Sequence, residues 1–272
     1  MIESRDIATL VAVGDSFTEG LEDELTESGR HRGWADRVAT SLSLANGTLR
    51  YANLAVRGHL LDQVVARQMP VALSLEPDLV TFHAGPNDVL RPRIELAGVL
   101  RRYDAAVAAL RATGVDVLLF TVIERAGGTG RTADRLAARF AAFNAQVRES
   151  ADRHGAMLAD VGSVAALQDR RMFHEDRLHL APEGHARVAA VVLERLGVVD
   201  AHLLGGAPGW WREPLPALVR PPRRADLAAD VRWVRRYLLP WAGRRLRGVS
   251  SGDRILAKQV ELVDLVSPTA ER

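Results

Sequence analysis

The sequence predicts an α/β fold in which a five-stranded parallel sheet carries helices on both faces. Short apolar runs rich in Val, Leu and Ile alternate with stretches of helical periodicity, and the strongest of those runs are nearly continuous. Strands buried on both faces need apolar side chains pointing both ways, so a parallel sheet reads as unbroken hydrophobic segments. At 272 residues and 47% hydrophobic content, the chain suffices for one full α/β domain and a sizeable appendage.

The first strand, Leu10 to Val13, stops at Gly14-Asp15-Ser16. Leu21 to Arg32 is polar and acidic and reads as a rim loop, after which Trp34, Val38 and Leu42 give Gly33 to Leu44 helical spacing. Leu49 to Leu54 is the second strand. Leu60 to Leu75 reads as helix, broken or kinked at Pro70, which lacks an amide hydrogen. Pro77 to Ala84 is the third strand. Leu96, Leu100, Tyr103, Val107 and Leu110 then share one helical face, and Gly114 is placed to end it. Val115 to Ile123 is the clearest buried strand. Leu136, Phe140, Phe143 and Val147 mark the next helix, which Gly155 terminates before a short fifth strand, Ala156 to Val161. A last helix runs from about Pro182 to Leu196, with proline and glutamate in its first turn. Right-handed crossovers make this a doubly wound arrangement.

Composition changes near Val198, which suggests a main domain over residues 1–200 and a mainly helical extension over 201–272, packed on the core or partly mobile. The extension carries four of the five tryptophans (Trp210, Trp211, Trp233, Trp241), many arginines and clustered prolines. Leu227, Val231, Val234 and Leu238 form a helical stripe beside Arg232, Arg235 and Arg236. The expectation is a helix docked on the core with a solvated basic face. Peripheral contact of that basic face with lipid headgroups or an acidic partner is the sharper alternative. Pro240 limits the helix, and Trp241 to Arg247 reads as a short basic turn.

Charge excludes little. Lys and Arg total 36 against 34 acidic residues, for a net charge of +2, and no nucleic-acid reader motif is present. With no cysteine, a disulfide framework, a thiol nucleophile and a thiolate metal site are excluded. The eight histidines show no His-x-x-x-His spacing. Gly127-Gly128-Thr129-Gly130 lacks the Lys-Ser/Thr ending of a phosphate loop and reads as a rim loop over a pocket. Met1 to Asp6 is charged without a secretory pattern, and no apolar run approaches the roughly 20 residues of a membrane span. A cytoplasmic location is expected.

Four segments bear the chemistry, each at a strand end or before a helix: Gly14-Asp15-Ser16, Asn53 to Gly58, Gly85-Pro86-Asn87-Asp88 and Asp176-Arg177-Leu178-His179. In a parallel sheet the carboxyl ends of the strands share one edge, where ligands bind, so residues distant in sequence meet there. A serine hydroxyl is a weak nucleophile until a base takes its proton. His179 can serve, since imidazoles as a class exchange protons near neutral pH, and Asp176 can orient the ring. His174 and His185 are rival bases without an aspartate at the same offset. His59 and His83 flank two segments, as pocket or packing residues. Asp15 and Asp88 read as bracing residues.

These segments resemble the SGNH hydrolases, the GDSL family of esterases and lipases, over roughly residues 8 to 196. Gly14-Asp15-Ser16-Phe17, Gly58, Gly85-x-Asn87-Asp88 and Asp176-x-x-His179 occur in the family's order. The resemblance implies a three-layer α/β/α fold and serine ester hydrolysis without metal or organic cofactor. It implies Ser16 as nucleophile, His179 as base and Asp176 as its orienter. The Ser16 and Gly58 amides and the Asn87 side chain are implied as the oxyanion hole. Pro86, the variable position of its segment, bears on the aim of the Asn87 amide. The serine is outside a Gly-x-Ser-x-Gly elbow, which disfavours the α/β-hydrolase fold. The expected substrate is a small to medium acyl ester. Acyl transfer to a sugar or metabolite hydroxyl and a non-catalytic binding role remain alternatives.

Overall fold

The computed structural model describes residues 7–124, 130–198, 207, 209–217, 223–240, 243, 252 and 255–266. Strands β1 (Thr9–Gly14), β2 (Thr48–Asn53), β3 (Leu79–His83), β4 (Asp116–Phe120) and β5 (Met157–Ala159) are parallel neighbours, as the hydrophobic runs predict. The sheet nevertheless has six strands, in the order β5-β4-β3-β1-β2-β6. The sixth, β6 (Gln259–Val266), comes from the extension and pairs antiparallel with β2, Leu49 opposite Leu265 and Tyr51 opposite Val263. The expected five-stranded parallel sheet is therefore corrected to a six-stranded mixed one. Val260, Leu262, Val263, Leu265 and Val266 fit a helical face as readily as a strand, so periodicity alone could not decide.

Side-chain alternation builds two cores. Leu10 and Ala12 of β1 with Leu118 and Phe120 of β4 face α2 (Gly33–Asn46) and α8 (Pro182–Arg195). Val11, Val13, Val117 and Leu119 face the opposite way, toward α3 (Leu61–Arg67), α4 (Met69–Ser74), α6 (Leu96–Ala112) and α7 (Arg131–His154). All eight are buried, and each of the larger ones contributes about 1.5–3 kcal/mol by leaving water. The helix expected over Leu60 to Leu75 is two helices. They meet at Gln68, and Pro70 sits in the first turn of α4, where its missing N–H costs nothing.

Besides the β2–β6 pairing, two buried or partly buried cations fasten the extension. Arg187, buried on α8, donates to the carbonyls of Trp211 and Glu213 at 2.9 and 2.8 Å. Lys258, at the start of β6, donates from Nζ to the carbonyls of His31 and Arg32 and to Asp36 Oδ2. In the extension, helix α9 spans Arg223–Trp233 and runs into a π turn, Val234–Leu238. Val231, Arg232, Arg235 and Arg236 are exposed; the Leu227 side chain lies outside the described residues. So does the basic turn expected at Trp241 to Arg247, except Gly243, and so does the Gly127 to Thr129 part of the rim loop. No helix among the described residues is long and apolar enough to cross a membrane.

The strand order reverses between β1 and β3, one segment leaving toward β2 and the other toward β4. That switch point is where an open α/β sheet leaves a crevice at the carboxyl ends of its strands.

Candidate active site

At the end of β1, Gly14 has φ 156°, and a Cβ there would lie 2.6 Å from both the His83 carbonyl oxygen and Thr18 Oγ1. Only glycine lets β1, β3 and the next turn converge so closely. Asp15 follows and caps α1 (Ser16–Glu19), its Oδ1 accepting from the Phe17 amide at 3.0 Å. Ser16 is the first residue of that turn. Gln68, buried at the joint of α3 and α4, grips the glycine: Oε1 accepts from Gly14 N–H at 2.7 Å, and Nε2 donates to the Gly14 carbonyl at 2.8 Å. The same Nε2 meets His59 Nδ1 at 3.0 Å.

The loop after β2 is bound to this turn. Buried Glu19 accepts from the Arg57 backbone amide at 2.7 Å and from its Nε at 2.9 Å. The Val56 amide donates to the Gly14 carbonyl at 3.2 Å. Gly58, next along, has a left-handed φ of 76°. After β3, Gly85 turns the chain with φ 108°, its Cα so close to the Phe143 ring that a Cβ would sit 2.7 Å away. Pro86 then opens the short helix α5 (Pro86–Val89). Asn87 Nδ2 donates to Asp15 Oδ2 and to the His59 carbonyl, both at 3.1 Å. Asp88 accepts from the Leu61 amide at 2.9 Å, and burial raises its carboxyl above the usual range. Asp15 and Asp88 are thus braces, as read from the sequence.

The fourth segment closes on itself. Phe173 bridges Leu180, the His174 amide donates to the His179 carbonyl at 2.9 Å, and the Arg177 amide donates to the His174 carbonyl at 3.0 Å. Asp176 Oδ1 accepts from the amides of Leu178 and His179 at 2.9 and 3.1 Å, leaving Oδ2 to meet His179 Nδ1 at 2.5 Å. The other ring nitrogen, Nε2, lies 3.1 Å from Ser16 Oγ. Burial would raise the Asp176 carboxyl. The His179 ring, by hydrogen bond and charge, and the two backbone amides outweigh it and hold the group at about 2. Asp176 therefore stays anionic across the range where an imidazole titrates. Arg177 pays for the tight turn with φ 61°, a conformation that costs a side-chain-bearing residue roughly 1–2 kcal/mol.

Ser16, Asn87 and His179 line a cavity of about 290 Å³ with an apolar wall that includes Leu90, Val122, Leu136, Phe140 and Leu178. Gly58 is not among its lining residues; it is placed through its neighbours Val56 and His59. His83 lines the cavity, its ring centroid 4.4 Å from that of Phe17, whereas His59 is engaged with Gln68 outside it. The rival bases are spoken for. His185 is buried, bonds the Leu21 carbonyl through Nε2, and is pushed down to about 4 by burial. His174 Nε2 faces Glu22 at 3.5 Å. Glu22, His174 and Asp176 are the one group among the described residues with ligand atoms close enough for a cation, and Asp176 is already committed to His179.

Sequence reasoning missed Glu19, Gln68 and Asn144. Asn144 accepts from the Val122 amide at 2.7 Å and donates to its carbonyl at 2.9 Å, fixing the cavity wall after β4. A signal existed for two of them: Gln68 falls four residues after Val64, and Asn144 four after Phe140, each a polar side chain on an otherwise apolar helix face. Glu19 had none.

Residues 12–187 match the family model described as the GDSL-like Lipase/Acylhydrolase family, well over half of the chain. The chain belongs to that family. No curated protein matches it. Among solved structures, a putative GDSL-like lipase from Parabacteroides merdae superposes with TM-score 0.60 at 16% identity, covering 73% of this chain and 98% of that one. Esterase EstA from Pseudoalteromonas sp., inhibited by monoethylphosphonate, gives 0.56 at 15% identity, covering 70% and 97%. Axe2, an acetyl-xylooligosaccharide esterase from Geobacillus stearothermophilus (a W-to-I variant), gives 0.54 at 22% identity, covering 70% and 94%. At such identities the likeness is one of fold. The GDSL-like family model spans the segments of Ser16, Gly58, Asn87, Asp176 and His179.

Proposed function

We propose that the protein is a serine esterase acting on small to medium acyl esters through an acyl-enzyme. One observation carries the reading: the unbroken line from Asp176 Oδ2 to His179 Nδ1 at 2.5 Å and from His179 Nε2 to Ser16 Oγ at 3.1 Å. Ser16 Oγ attacks the ester carbonyl carbon while its proton passes to His179 Nε2, and Asp176 stabilises the imidazolium so formed. The carbonyl oxygen becomes an oxyanion, met by the Ser16 and Gly58 amides and by Asn87. For this, Asn87 turns one of its hydrogens from Asp15 or the His59 carbonyl toward the new charge. Collapse expels the alcohol, which takes the proton from His179. Water then adds to the acyl carbon with His179 again as base, and the acid leaves with Ser16 restored. The apolar wall of Leu90, Val122, Leu136 and Phe140 suits an acyl chain.

A fluorophosphonate probe and a p-nitrophenyl ester panel from acetyl to octanoyl, with an acetylated xylooligosaccharide as a further arm, test this. Covalent labelling that maps to Ser16, is lost in Ser16→Ala, and parallels hydrolysis is the expected result. A wild-type protein that neither labels nor turns over any ester is not a serine esterase.

A further inference from the structure

We infer that α9 and the π turn after it position the His179 loop, with Trp233 and Asp230 as the positioning residues. The inference rests on the reading of Ser16, His179 and Asp176 as the reacting groups. Four consecutive residues of that loop, His174 to Arg177, each meet a side chain from the extension. The Trp233 indole N–H donates to the Asp176 carbonyl at 2.7 Å. The Arg177 guanidinium lies 4.9 Å from the Trp233 ring centroid and pairs with Asp230 Oδ1 at 2.5 Å. Glu175 faces Tyr237 and Arg236 at 3.5 and 3.8 Å, an outer and weaker layer. The Tyr237 ring also meets His174 edge-on with centroids 6.2 Å apart, and His174 Nδ1 accepts from the Asp176 amide at 3.4 Å.

Asp176 is thus held through its backbone on one side and acts through its carboxylate on the other. Its neighbour Arg177 keeps a left-handed backbone that relaxes easily without support, and stacking on Trp233 with the Asp230 pair supplies that support. Plain core packing does not account for this segment. Val231 is 50% exposed, and although Trp233, Val234, Tyr237 and Leu238 are half-buried, none of them is among the described residues packed on either core, while the segment's directed polar contacts converge on one loop. A shift of the loop moves the His179 ring relative to Ser16, and small displacements of a reacting group are costly to turnover.

The test uses the full chain with Trp233→Phe, Asp230→Ala and Asp230→Glu. Readouts are kcat and KM on a p-nitrophenyl ester, the rate of Ser16 phosphonylation, and Tm. Trp233→Phe keeps an aromatic ring for Arg177 while removing the N–H donor along with the smaller ring of the indole. It is expected to lower kcat and phosphonylation together by about tenfold while KM stays within about twofold. Asp230→Ala is expected to lose about threefold in the same two readouts, with Tm unchanged, and Asp230→Glu to recover them. Wild-type kcat and labelling in both Trp233→Phe and Asp230→Ala overturns the inference, as does a loss that appears only where Tm falls with it. Absence of labelling in the wild type strikes at the esterase reading instead, so the two failures are distinct.

Discussion

Ser16 and His179 meet at 3.1 Å, yet they are supported by unlike parts of the molecule. Ser16 and Asn87 are carried on turns at the ends of β1 and β3, the two central strands at the switch point, above side chains with no exposed surface. Gln68, Asp15, Glu19 and Asp88 lock those turns together through buried and partly buried hydrogen bonds. His179 instead sits on a partly exposed loop whose hydrogen bonds are mostly within itself, with others supplied by α9 and the π turn after it. The serine side is therefore coupled to global stability. The histidine side can be disturbed with less effect on the fold, because fewer buried groups depend on it.

Breaking the histidine side should produce the largest change in activity. Asp176→Asn leaves the ring without its anionic partner and free to adopt the other tautomer; kcat is expected to fall by about 10⁴-fold with KM nearly unchanged. Steady-state kinetics with an independent Tm check this, and a loss below tenfold would remove Asp176 from the mechanism. On the serine side, Asn87→Ala deletes one donor to the developing oxyanion, and kcat should drop by about 10²–10³-fold. If KM rises while kcat holds, Asn87 binds the ground state rather than the oxyanion.

Gln68→Leu sharpens the comparison from the stability side. It strands the buried Gly14 N–H and leaves the Gly14 carbonyl to the Val56 amide, so denaturant unfolding should show a loss of about 1–3 kcal/mol. Unchanged stability in that variant would show that the glycine turn is held by the sheet alone. The smallest effect is an acid one. Asp176 titrates in the fold at about 2, below the unfolded 3.8, so its contribution is full above about pH 4 and is lost as pH falls toward 2. Wild type should therefore lose about 2 kcal/mol more than Asp176→Asn across that window. Parallel stability curves for the two proteins would contradict it.

Much of this was legible beforehand, for reasons that differ by element. Strands such as Val115 to Ile123 are apolar on both faces, and a parallel sheet covered by helices is the arrangement that buries them all. The segments around Ser16, Asn87 and His179 stood out because each places a polar residue at the end of an apolar run or before a helix. The strand at Gln259–Val266 did not stand out, because its Leu-Val pairs satisfy helix and strand periods equally. Glu19 was equally silent, since its partner Arg57 lies 38 residues away and nothing local marks the pair.

From sequence alone came the strand-and-helix alternation, the order of the four segments and the residue types able to activate a serine, all of which depend on local pattern and side-chain chemistry. Tertiary structure decided what depends on the close approach of distant backbone. It seated β6 against β2, turned Gln68 onto Gly14, and brought Trp233 against Asp176. Such contacts are chosen by shape and by the demand that buried polar groups find partners, and neither is written in any single stretch of chain.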